Sequence, residues 1–142
     1  MTDQKNKIPQ LFLRLAISVT MLSAVADRFG FWGENSAWGN WENFEKYTQK
    51  LTFFLPETLS TASAYAATTL EILFPVMLIL GWKTRIAAYG SGFLLLVFAL
   101  SMTIALGPKA PLDFSVWVGS AGAFLLAVQS RYFFSIDHLT QK

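Results

Sequence analysis

The residues best placed to do chemistry are Arg14, Asp27, Arg28, Thr68 and Glu71, all polar and all next to or inside long apolar runs. Glu71 lies within "TTLEILFPVMLILGWKTR", Thr68 to Arg85, with Pro75 four residues further on. A lone charge in hydrocarbon costs at least ~2.5 kcal/mol on insertion scales, so this carboxylate is expected to face protein and meet a cation, or to hold a proton. Desolvation favours the protonated form and a nearby arginine the ionised one. Pro75 offers no amide to the carbonyl of residue 71, and its ring presses on that carbonyl. The helix is therefore expected to kink near Glu71, with a carboxylate and a free carbonyl pointing into one place.

Arg14 is the leading partner for Glu71. Counted from the presumed inner end at 1.5 Å per residue, the two lie roughly 9 Å and 16 Å deep, within reach of an arginine side chain. The competing expectation is snorkelling, in which Arg14 returns to the headgroups and Glu71 pairs with Thr68 or another hydroxyl. Asp27 and Arg28 are adjacent, so on a helix they point about 100° apart and cannot form an ideal pair with each other. Arg28 shares the face of Arg14 and is the better inward candidate. Asp27 is left to cap the helix end or meet the outer helix. Such a mixed-charge mouth can contact a quinone headgroup or an anion, although ordinary anchoring at the interface is the commoner role.

The elements that must hold these residues follow from composition. The chain has 142 residues, 54% hydrophobic and 14% charged, with a mean hydropathy of +0.43. Soluble domains are about a quarter charged, and a spanning helix takes ~20 largely apolar residues. The expected fold is all-α: one membrane domain over residues 1–142, a four-transmembrane-helix bundle with spans over 8–27, 59–81, 85–106 and 112–130. A signal peptide is the rival reading of the first segment, since Ala24-Val25-Ala26 resembles a cleavage site. Arg14 and Asp3 are poor features for one, and we read the helix as retained.

Between the first two spans, Trp38, Trp41, Phe44, Tyr47, Leu51 and Phe54 recur every three or four residues. That spacing predicts an amphipathic helix over 38–54, lying along the outer interface or capping the bundle. Small and weakly polar residues form seams suited to helix packing in lipid. They are Thr61, Ala64, Thr68, Glu71 and Pro75 in the second span, Ala88 and Gly92 in the third, and Ser115, Gly119, Gly122 and Gln129 in the fourth. Asp113 is a plausible N-cap of the fourth helix.

Lys5, Lys7, Arg14, Lys83, Arg85, Arg131 and Lys142 fall on one side of a four-span arrangement. Most acids (Asp27, Glu34, Glu42, Glu45, Glu57, Asp113) fall on the other. The positive-inside rule then places both termini in the cytoplasm.

Several function classes drop out. The net charge of +2 indicates no nucleic-acid partner. Without cysteine there is no thiolate nucleophile and no iron–sulfur ligation by this chain. A single histidine, His138 near the C-terminus, rules out a bis-histidine haem site within one chain, and no metal site is read.

The stretches "LRLAISVTMLSAVADRFG" and "FFLPETLSTASAYAATTLEILFPVMLILGWKTRIAA" resemble the DoxX family of small bacterial four-helix membrane proteins. Arg14, Asp27, Arg28, Pro56, Glu71, Gly81, Thr84 and Arg85 match its pattern in order. Two departures stand out: a lysine is common where Arg28 stands, and a glycine-rich stretch often follows the glutamate where this chain has "ILFPV". The resemblance implies a bacterial inner-membrane protein associated with redox chemistry. Some members are similar to the membrane subunit of thiosulfate:quinone oxidoreductase, and others accompany oxidative-stress enzymes. It points to a quinone-binding or anchoring subunit rather than a self-sufficient catalyst, with quinone as the ligand and a redox enzyme subunit as partner beside the lipid bilayer. Glu71, Arg14, Arg28, Asp27 and Thr68 are the expected ligand contacts. The alternatives are a small-molecule or proton-linked transporter with Glu71 titrating in the path, and a structural scaffold without ligand. A homo-oligomer is compatible with all three.

Overall fold

A computed structural model describes residues 7–140 of the chain; Lys5 and Lys142 of the charge pattern lie outside this range. Every regular element among the described residues is helical. Helix α1, Lys7–Arg28, buries Gln10, Arg14, Ile17, Ser18, Met21, Val25 and Arg28, one stripe at helical spacing. The chain leaves it through Gly30, at φ +77°, where a Cβ would stand 2.8 Å from the Gly39 carbonyl oxygen. After a short 3-10 turn, Gly33–Asn35, comes α2, Trp41–Leu51. The Asn40 side chain starts it by accepting from the Asn43 amide at 2.9 Å. This helix is shorter than the 38–54 range, because Trp38 precedes the cap and Thr52 to Leu55 form a turn.

Helix α3, Glu57–Leu80, continues five residues beyond Pro75. It ends in a Schellman motif: Gly81 is left-handed, its amide bonds the Leu78 carbonyl, and the Trp82 amide bonds that of Met77. Helix α4, Thr84–Leu106, follows at once. Next come α5, Lys109–Asp113, α6, Val116–Ala127, and α7, Ile136–Thr140.

Helices α1, α3 and α4 are each long and apolar enough to cross a membrane. The expected fourth span over 112–130 is not one continuous helix. The chain breaks at Ser115, φ +55°, and α6 has only 12 residues, roughly 18 Å at 1.5 Å per residue. Asp113 does not cap it; that carboxylate pairs with Lys109 one turn back. The seam expected on this segment also shifts. Ser115 is exposed and Gly119, Gly122 and Gln129 are half-buried, whereas Ser120, Ala123, Leu126 and Ala127 are buried.

Packing is close because the contact residues are small. Gly92 of α4 meets the Phe124 ring of α6, and the Ser120 hydroxyl donates to the Gly92 carbonyl at 2.8 Å. Gly90 leaves room for Phe74 of α3, and Gly122 of α6 for Leu13 of α1. The helices thus pack in the order α1, α3, α4, α6, with α6 returning to α1. The core holds Met21, Met77, Leu78, Ala87, Ala88, Ala123, Leu126 and Tyr132. Phe12, Val19, Phe93, Val97, Ile104 and Leu125 face outward. An apolar exterior over small-residue contacts is the pattern of helices packed in lipid.

Candidate functional site

Helices α1 and α3 run antiparallel: the end of α1 meets Thr68, and its beginning lies beside Gly81. Side chains leave an α-helix tilted towards its N-terminus. On α1 this aims Arg28 back into the bundle and Arg14 towards the first turn. On antiparallel α3 it aims Glu71 at the end where Arg28 sits. Glu71 and Arg28 therefore point towards each other, and Glu71 and Arg14 point apart.

The contacts follow that geometry. Arg28 Nη2 lies 2.5 Å from Glu71 Oε2, and Arg28 Nη1 donates to the Thr68 hydroxyl at 2.6 Å. Both charged groups are 2% exposed, so the pair is fully enclosed. Ala64, Thr68, Glu71 and Pro75 are buried along one stripe of α3, as their spacing predicts. Thr61 is half-buried, and its hydroxyl donates to Glu45 of α2 at 2.6 Å.

The expected Arg14–Glu71 pair does not form, and Arg14 does not snorkel. It is 1% exposed and donates to the carbonyls of Phe133 at 2.9 Å and Phe134 at 2.6 Å. The depth count failed because it ignored side-chain direction and the C-terminal segment, whose carbonyls lie nearer. Gln10 grips the same segment, donating to the Arg131 carbonyl at 2.6 Å and accepting from the Phe133 amide at 2.9 Å.

Above Arg28 lies an aromatic cover. Its guanidinium carbon is 3.8 Å from the centre of the Phe44 ring and 5.7 Å from that of Trp38. Such contacts are worth up to about 2 kcal/mol when desolvated. Trp38 packs edge-on against Phe44 and beside Tyr47; burial pushes the Tyr47 phenol above its ordinary pKa. Trp41 ties the cover to Tyr65 of α3. Asp27 fixes the approach to α2, accepting from the amides of Ala37, Trp38 and Gly39 at 2.7, 2.8 and 3.2 Å. Of the five residues singled out in the sequence, Arg28, Glu71 and Thr68 thus make one cluster. Asp27 holds the loop over it, and Arg14 belongs to the opposite end.

The polar capacity of the cluster is not used up. Arg28 Nε has no hydrogen-bond partner, and Glu71 Oε2 has the ion pair but no hydrogen bond of good geometry. A buried donor beside a carboxylate suits a ligand carrying a carbonyl or hydroxyl oxygen. No group of three or more metal-ligating side chains occurs among the described residues. Sequence reasoning missed three features, one beside the site and two at the opposite end. These were the cap at Asn40, the hold of Arg14 and Gln10 on the C-terminal segment, and Asp137, whose carboxylate accepts from the amides of Lys83 and Thr84. Only the first had a local signal, an asparagine opening an amphipathic stretch.

Described residues whose regular elements are all helical, with three membrane-length apolar helices among them and a charge pair enclosed between two, define an α-helical membrane protein. Within that class the chain belongs to the DoxX family, whose model matches residues 9–104. The match contains α1 to α4 almost entirely and leaves α5, α6 and the C-terminal segment outside it. Comparisons with curated proteins and with solved structures found no match.

Proposed function

We propose that this DoxX-family protein spans the bacterial inner membrane four times and serves as the quinone-binding or anchoring subunit of a membrane redox system. In this reading α5 and α6 in series make the fourth span, and α2 lies along the outer interface. The basic residues Lys7, Lys83, Arg85 and Arg131 hold their end in the cytoplasm. The observation that carries the ligand assignment is the Arg28–Glu71–Thr68 cluster with its unpartnered Arg28 Nε, enclosed beneath Trp38 and Phe44. A quinone headgroup is flat and apolar with carbonyl oxygens at its edge. It would stack under the aromatic cover and accept from Arg28, with its tail along the lipid-facing helices. The cover must lift for entry, since the pair is fully enclosed.

The test is a titration of purified protein with a short-chain quinone, read by quenching of tryptophan fluorescence. Saturable quenching is expected, weakened at least tenfold in Glu71→Gln while helicity is retained. Equal affinity in that variant removes Glu71 from the site. The same closure favours a second reading, in which the pair only locks α1 to α3. Absent quenching together with a destabilised Glu71→Gln protein would support that scaffold role.

A further inference from the structure

At the end of the molecule opposite the Arg28–Glu71 pair, the α3–α4 turn and the C-terminal segment border an open recess of about 320 Å³ lined by Lys83, Arg85, Ile86, Ser130, Tyr132 and Asp137. Three observations give it a chemical character. First, its charge is positive in effect: Asp137, its one carboxylate, has both oxygens occupied by the backbone amides of Lys83 and Thr84 at 2.8 and 2.7 Å. The Lys83 ammonium lies 5.2 Å from the Trp82 ring and makes no ion pair among the described residues. Arg85 spends one guanidinium nitrogen on the Gln129 carbonyl at a long 3.3 Å and also hydrogen-bonds the Tyr132 hydroxyl, which leaves N–H groups of its fork for a ligand. Second, the recess is built by the fold. The Tyr132 hydroxyl donates to the Ala127 carbonyl at 2.9 Å, Asp137 caps α4, and the Asp137 amide bonds the Gly81 carbonyl at 2.9 Å. Third, it joins charged groups to an apolar wall at the end of a membrane-length helix. Ile86, 60% exposed, lines it from the first turn of a membrane-length helix, and half-exposed Trp82 precedes the turn. Tryptophan favours the headgroup level.

We propose that this recess binds the phosphodiester headgroup of an anionic phospholipid, with Arg85 and Lys83 as its cationic contacts and the acyl chains descending past Ile86. Arginine presents paired N–H groups that match phosphate oxygens, and lysine adds a point charge. Basic pockets at the ends of membrane helices suit such lipids. A free phosphate would use the same two cations but gain nothing from the apolar wall. The recess lies at the other end of the molecule from the proposed quinone site, so neither assignment depends on the other.

The test compares lipid retained by the full-length protein in nanodiscs of mixed phosphatidylglycerol and phosphatidylcholine, measured by native mass spectrometry after detergent release. The wild type is expected to keep phosphatidylglycerol at least fivefold over its share of the mixture, and 10 mM inorganic phosphate should not displace it. Lys83→Gln with Arg85→Gln should bring retention to the share of the mixture, whereas Lys7→Gln, which removes a charge from the same end, should not. Circular dichroism checks that each variant is folded. Retention proportional to the mixture in the wild type overturns the proposal, as does undiminished enrichment in the double variant or an equal loss in Lys7→Gln. Displacement by phosphate would show a free-anion site instead of a lipid site.

Discussion

At the scale of single residues, direction decides what distance alone leaves open. Arg14 and Arg28 share a face of α1, and either could be written opposite Glu71 from the sequence. The tilt of side chains towards a helix N-terminus separates them, sending Arg28 to Glu71 and Arg14 to the carbonyls of Phe133 and Phe134. That Glu71 would face protein and meet a cation or hold a proton was legible, because an intramembrane carboxylate must be neutralised. Which arginine supplies the cation was not, because Arg14's acceptors are backbone groups some 120 positions away that leave no mark in the local sequence. A double-mutant cycle on unfolding in mild detergent checks the assignment. Arg28→Gln and Glu71→Gln are expected to couple by about 1–3 kcal/mol, within the range for residues in one network. Arg14→Gln and Glu71→Gln should be additive to within about 0.5 kcal/mol.

Among the elements, the three long helices were readable from length and apolarity, and α3 from its stripe of Ala64, Thr68, Glu71 and Pro75. The fourth was not, because hydropathy is blind to a single left-handed residue such as Ser115 that divides 109–127 into two helices. The C-terminal segment was equally hidden. It has no apolar run long enough to signal an element, yet Gln10, Arg14 and Asp137 stitch it to α1 and to the start of α4. Gly81 is the point where this stitching meets α3: its φ is +66°, and a Cβ there would stand 2.2 Å from Cβ of Ser135. Gly81→Ala therefore combines left-handed strain, roughly 1–2 kcal/mol, with displacement of residues 133–137. A lowered melting temperature is expected, together with new proteolytic cleavage near Ser135. An unchanged cleavage pattern would mean that the segment is not anchored at Gly81.

For the whole molecule, the arrangement is polar at both ends and for different ends. One end carries the tail, the α3–α4 turn and most cations; the other carries the Arg28–Glu71 pair beneath Trp38 and Phe44. The proposed orientation is checked in a chain without native cysteine by placing one at position 83. Labelling by a membrane-impermeant thiol reagent should occur only after the cells are opened, and labelling of intact spheroplasts would reverse the topology. The claim on which the functional reading rests is that the covered pair receives a quinone headgroup, and a photoreactive quinone analogue tests it most directly. The account predicts crosslinks confined to peptides containing Arg28, Trp38, Phe44 or Thr68, abolished by excess short-chain quinone. Crosslinks at the Lys83 end, or spread over the lipid-facing surface and insensitive to competition, would contradict it.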